Sequence, residues 1–206
     1  MLLVPVRAEP VRIVALGDSL TAGFQLPADA AFPVKLEKAL RAKGYDVEVA
    51  NAGVSGDTAA GGLARLDWAV PDGTDAVILE LGANDMLRGL DPKRTREALS
   101  EIVRRLKARG IEVLIAGMLA SPNLGPEYGA AFNSIYPDLA QRYGALLYPF
   151  FLEGVALDPA LNLADRLHPN ARGVDRIVAG ILPSVEALIA RVKGAREGAG
   201  RAGARG

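Results

Sequence analysis

One histidine, His168, and no cysteine occur in the 206 residues of this chain. Any reaction that needs an imidazole therefore has a single candidate. The same counts remove disulfides, thiol nucleophiles, Cys-based zinc sites and His-rich metal sites. Asp165 stands three residues ahead of the histidine, in Asp165-Arg166-Leu167-His168-Pro169. Pro169 stiffens the turn. At that spacing the carboxylate can accept a hydrogen bond from one ring nitrogen. The bond orients the ring and leaves the other nitrogen to take a proton from a hydroxyl. A lone histidine is more often a surface or capping residue. What weighs against that here is a serine, in the same small chain, placed to supply the proton.

That serine is Ser19, in Gly17-Asp18-Ser19-Leu20-Thr21, where an apolar run ends and a helical stretch begins. A serine there sits at a helix N-terminus, whose free backbone N–H groups face a developing anion. Taken alone, an Asp-Ser pair serves at least as readily as a helix cap. Acyl transfer to such a serine creates an oxyanion that needs donors in place beforehand. Three are available: the N–H of Ser19, the N–H of Gly53 in Asn51-Ala52-Gly53-Val54, and the side-chain amide of Asn84 in Gly82-Ala83-Asn84-Asp85. Glycine permits close backbone approach to a ligand. The plainer reading of both loops is ordinary turn chemistry. Each such donor stabilises a transition state by roughly 3 kcal/mol. Asp18, Met118 and Leu119 are the expected substrate contacts, whereas Phe150 and Phe151 read as core ahead of acyl contacts.

These residues lie far apart, so a fold must gather them. Apolar runs at residues 11–16, 47–50, 76–81, 111–116 and 145–147 read as strands. Between them, residues 32–42, 58–68, 92–109, 127–143 and 170–192 carry helical signals, with a break expected at Pro137. The helix over 92–109 is the clearest, with Asp91 as N-cap, Pro92 in the first turn and Leu99, Ile102, Val103 and Leu106 on one face. Strand and helix in alternation predict an α/β fold, a mostly parallel sheet covered on both faces as a three-layer αβα sandwich. In such sheets ligands sit beyond the C-terminal ends of the strands. The serine, Gly53 and Asn84 loops all follow strands.

Length suits a single domain, read here as 1–192. The Gly-, Ala- and Arg-rich stretch 193–206 has little apolar surface to bury and is expected to be disordered. Half the residues are hydrophobic, and Lys plus Arg equal Asp plus Glu at 24 each. A net charge of zero gives no reason to expect a nucleic acid or an anionic membrane as partner. No run is long and apolar enough to span a bilayer. The N-terminus, MLLVPVRAEP, reads either as the remnant of an export signal or as a terminus before the first strand.

Gly17-Asp18-Ser19-Leu20, Gly53, Gly82-x-Asn84-Asp85 and Asp165-x-x-His168 resemble, in order, the four sequence blocks of the GDSL, or SGNH, hydrolases. The similarity covers about residues 11–189. It is nearest to the acyl-CoA thioesterase I, lysophospholipase and arylesterase branch, through Gly17-Asp-Ser-Leu-Thr-Ala-Gly23, Tyr136-Pro-Asp-Leu-Ala140 and Tyr148-Pro-Phe-Phe-Leu152. GDSL alone is a weak motif, but four blocks in order at the right separations are specific. The resemblance implies a flavodoxin-like fold with a five-stranded sheet, no metal or cofactor, and a Ser19-His168-Asp165 triad. It also implies an oxyanion hole from Ser19, Gly53 and Asn84, a small-molecule ester or thioester substrate, and a periplasmic or secreted location, with a cytoplasmic one as the alternative because the N-terminus reads as no complete export signal. Two departures stand out. Arg166 and Gln25 each occupy a position where the resemblance has glycine. Rival readings are a deacetylase of acetylated carbohydrate and a non-catalytic flavodoxin-like binding module. Against a nucleotide-binding module, neither G-x-G-x-x-G nor G-x-x-x-x-G-K-[ST] is present. Thr21 stands where the second glycine of an α/β-hydrolase elbow belongs.

Overall fold

The computed structural model describes residues 9–203, with side chains as far as residue 199. The segment on which the export-signal reading chiefly depends, residues 1–8, lies outside the described residues. Five strands form one sheet: β1 (Val11–Gly17), β2 (Val47–Gly53), β3 (Ala76–Glu80), β4 (Glu112–Ala116) and β5 (Leu146–Tyr148). Their order is β2-β1-β3-β4-β5 and every pairing is parallel. β1 and β3 are buried along nearly their whole length, which is why their sequences are continuously apolar rather than alternating. β2 lies at an edge and alternates at its start.

The helices are α1 (Ser19–Ala22), α2 (Phe32–Ala42), α3 (Ala59–Ala64), α4 (Leu66–Ala69), α5 (Ala83–Leu87), α6 (Pro92–Ala108), α7 (Pro126–Asn133), α8 (Ile135–Tyr143) and α9 (Ala171–Gly203). α2 and α9 pack together, while α6 packs against α3 and α8. The three-layer architecture expected from the sequence is therefore the observed one. α6 begins as read, with the Asp91 carboxylate accepting from Lys93 N at 2.9 Å and Pro92 in its first turn. Ala98, Leu99, Ile102, Val103 and Leu106 form its buried stripe. No helix among the described residues is long and apolar enough to cross a membrane.

Three expectations need correction. The segment 58–68 is two short helices, α3 and α4, which meet at Arg65. The break in 127–143 falls at Ser134, not at Pro137. Pro137 sits in the first turn of α8, where its missing N–H removes no helical bond. The stretch 193–206, expected to be disordered, continues α9 as far as Gly203. Val192 is buried, and Arg196 fixes this extension by ion pairing with Asp75 at 2.7 Å and donating to the Glu9 and Pro10 carbonyls. Composition scored the missing apolar stripe but could not see these tertiary acceptors.

Candidate active site

The sheet order reverses between β1 and β3, because β2 follows β1 on one side and β3 returns to the other. A crevice opens at such a switch point beyond the C-terminal strand ends. The loops carrying Ser19 and Asn84 leave β1 and β3 there, and Gly53 closes the neighbouring strand in register with Gly17. Asp18 caps α1, its Oδ1 accepting from Leu20 N at 2.9 Å, and this places Ser19 at the first helical position.

The fourth loop comes from far along the chain and is pinned before it reaches the site. Asn162 and Pro169 form an isolated antiparallel bridge. The Asn162 amide donates to the Val155 and Asp158 carbonyls at 2.7 and 2.8 Å. Asn170 Oδ1 accepts from Arg172 N and Gly173 N and so caps α9. Between these anchors, Asp165 Oδ1 accepts from Leu167 N at 2.9 Å and His168 N at 3.0 Å. Its Oδ2 lies 2.7 Å from His168 Nδ1. A carboxylate can only accept, so Nδ1 carries the proton and a neutral ring leaves Nε2 bare. Nε2 lies 2.9 Å from Ser19 Oγ across 149 residues of sequence. The backbone N–H of His168, then that of Leu167, then the ring itself hold the Asp165 carboxyl down at about 2. Phe24 covers the imidazole, the ring centroids 4.4 Å apart.

Asn84 is held from both sides. Its Nδ2 donates to Asp18 Oδ2 at 3.0 Å and to the Asp57 carbonyl at 3.0 Å. The Gly53 N–H donates to Asn51 Oδ1 at 2.9 Å. A Cβ at Gly53 would stand 2.3 Å from Ala22 N, so the β2 end and α1 meet backbone to backbone only because this residue is glycine. All three expected oxyanion donors thus belong to one small region, and two of them are occupied by internal acceptors.

The expected substrate contacts divide. Asp18 is fully buried and committed to Leu20 N and Asn84, so it is a wall of the site rather than a surface that substrate reaches. Met118 is 2% exposed and belongs to the core. Both of these expected contacts are thus buried, while Leu119 is exposed at 46%. Phe151 is core, as read.

Several residues escaped the sequence reading. Glu80, at the end of β3, is fully buried, and its Oε2 accepts from Thr21 Oγ1 at 2.7 Å and Asp18 N at 3.3 Å. Its Oε1 has no hydrogen-bond partner among the described residues. Burial first, and the neighbouring Asp18 charge second, raise Glu80 well above the usual carboxylate range. Burial likewise lifts Asp18 to about 6. The one signal for Glu80 was a single acid interrupting an otherwise apolar strand. Asp57 and Arg65 gave none, since both lie in a segment that reads as a weak helix and its approach.

Residues 15–176 match the GDSL-like lipase/acylhydrolase family. The chain belongs to this family. Within it, the chain is 36% identical over 190 residues to Esterase TesA of Pseudomonas aeruginosa, covering 92% of this chain and 94% of that one. It is 40% identical over 159 residues to the thioesterase 1/protease 1/lysophospholipase L1 of Escherichia coli, covering 77% of this chain and 75% of that one. The crystal structure of AlinE4, an SGNH-hydrolase family esterase, superposes with a TM-score of 0.75 at 47% identity, covering 88% of this chain and 97% of that one. A GDSL-like acylhydrolase is thus what the β1 and β3 loops were expected to build, and the sheet is the flavodoxin-like one the resemblance implied.

Proposed function

We propose that this chain hydrolyses carboxylic ester or thioester bonds through an acyl-serine intermediate on Ser19. The observation that carries the reading is the continuous relay from Asp165 through His168 to Ser19, at 2.7 and 2.9 Å. In this reading the bare Nε2 of His168 takes the Ser19 proton as Oγ attacks the carbonyl carbon. The carbonyl π bond opens to an oxyanion, which the Ser19 and Gly53 N–H groups and the Asn84 amide hold. Collapse expels the alcohol or thiol, which takes the proton from His168. Water, deprotonated by the same nitrogen, then releases the acid and restores Ser19. Asp165 keeps the tautomer that makes Nε2 the acceptor and stabilises the imidazolium.

Esterase and thioesterase names among the relatives support this chemistry. Aryl esters, medium-chain acyl esters, acyl-CoA and lysophospholipids are the substrate classes we propose, with exposed Leu119 as an acyl contact. A turnover panel of these substrates and acetylated sugars, with Ser19→Ala as control, tests the reading. Turnover that disappears in the variant, and a phosphonate that labels Ser19 at one per chain, are expected. Labelling of another serine, or no turnover of any ester or thioester, overturns it. An exported location rests on the resemblance alone, and fractionation of the host cell, with the enzyme expected outside the cytoplasm, decides it.

A further inference from the structure

Arg65 is a cation only 6% exposed, placed where α3 gives way to α4. Its three nitrogens reach three different segments. Nη2 donates to the Gly17 carbonyl at 2.8 Å, Nη1 donates to the Ala52 carbonyl at 2.8 Å, and Nε donates to Asp57 Oδ2 at 2.6 Å. Trp68 lies over the guanidinium, 5.9 Å from its ring centroid.

Each acceptor belongs to an arm of the site. The Gly17 carbonyl closes β1 just before Asp18 and Ser19. The Ala52 carbonyl is the other end of the peptide unit whose N–H is that of Gly53. Asp57 is the residue whose own carbonyl accepts from the Asn84 amide. From this convergence we propose that Arg65 is a positioning residue for the oxyanion hole, fixing the relative placement of the Ser19, Gly53 and Asn84 donors from behind. The inference rests on the proposed role of those three donors.

A rigid planar fork suits the task. Five N–H donors in one plane reach acceptors in several directions, which a lysine ammonium on a flexible stem does not reproduce. Donation to the Ala52 carbonyl also polarises the peptide and strengthens its far N–H as a donor. Preorganisation is what gives an oxyanion hole its effect, because donors that must be aligned during the reaction contribute less.

The experiment is a double-mutant cycle of Arg65→Lys and Asn84→Ala on a p-nitrophenyl ester. Rates are normalised to sites titrated with a phosphonate, which removes any unfolded fraction. Arg65→Lys is expected to lower kcat about 10- to 100-fold with KM within about threefold. The double variant is expected to lose clearly less than the product of the two single losses, because both act on one oxyanion. An unchanged kcat in Arg65→Lys while Asn84→Ala is impaired, or losses that simply multiply, overturn the proposal. An unimpaired Asn84→Ala sinks the oxyanion reading itself, a separate result. Should Arg65→Lys fail to fold, the isosteric Asp57→Asn releases one arm. It is expected to lower kcat several-fold at constant KM, and an unchanged kcat overturns the proposal equally.

Discussion

The Asn84 amide donates to the Asp18 carboxylate at 3.0 Å, and Asp18 is the residue immediately before the serine that faces His168. With its second proton on the Asp57 carbonyl, both amide protons of Asn84 are taken by internal acceptors. An oxyanion arriving beside it must share or displace one of these acceptors. Rigid placement is useful for catalysis, because a donor held in position needs little reorganisation when charge develops beside it. Asn84→Ala should therefore lower kcat by about 10²- to 10³-fold while KM changes little. Steady-state kinetics on titrated enzyme give both numbers. A large rise in KM at constant kcat would instead make Asn84 a substrate-binding residue.

Asp165→Asn keeps the shape of the loop but not its acceptors. An asparagine has one carbonyl oxygen to serve the backbone N–H groups and the ring that two carboxylate oxygens now serve. If its NH₂ faces Nδ1, the ring adopts the other tautomer and Nε2 carries a proton that blocks its acceptance of the Ser19 hydrogen. The expected loss in kcat is on the order of 10⁴-fold, the size of the tautomer effect in serine proteases. Ring NMR should show the proton moved to Nε2.

Gly17 cannot become alanine without cost. A Cβ there would stand 2.0 Å from Thr21 Oγ1 and 2.6 Å from Glu80 Oε2. Both are buried and bonded to each other, so neither can move aside cheaply. Gly17→Ala should destabilise the protein by about 1–3 kcal/mol, the range for forced overpacking. Activity per folded molecule should fall as well, because the displaced residues hold the Asp18 N–H and α1. Denaturant unfolding and active-site titration separate the two effects.

The buried acids make stability depend on pH in an unusual direction. Asp18 has a folded value of about 6 against 3.8 in the unfolded chain. Between those limits the folded state keeps a proton that the unfolded state releases, so stability falls as pH rises through this window. Glu80 acts in the same sense. Asp165, held at about 2, acts oppositely but only below about pH 4, where its contribution is lost as pH falls. Asp18→Asn should therefore flatten the stability change between pH 4.5 and 7.5. Urea midpoints at both values, in wild type and variant, measure it. An equally steep slope in the variant would contradict the assignment.

Arg166 has φ of 60°, a left-handed conformation that costs a side chain roughly 1–2 kcal/mol. The resemblance places glycine at this point of the Asp165-to-His168 turn, and the backbone supplies the reason. Arg166→Gly should recover part of that strain, offset by the greater freedom of glycine in the unfolded chain. The net change should be no more than about 1 kcal/mol of stabilisation. Arg166→Val, β-branched, should destabilise instead. Thermal unfolding of the two variants side by side decides this.

The alternation of apolar runs and helical stripes was enough to name the three layers, because burial on both faces of β1 and β3 demands it. The four loop blocks, with a lone His168 and a preceding Asp165, were enough to single out the candidate residues that the fold brings together, because few residue types can take and return a proton. Local sequence could not say which polar groups the folded chain buries against one another. Asp18 looked like a substrate contact and is a buried acceptor for Asn84. Met118 looked like a pocket residue and is core. Arg65 carried no signal at all, since its three acceptors come from β1, β2 and the loop to α3, and only tertiary packing brings them within reach of one guanidinium. Sequence determines which chemistry is available at each position. Desolvation and partner geometry, which decide whether a side chain reacts, positions or merely fills space, exist only once distant segments have closed on each other.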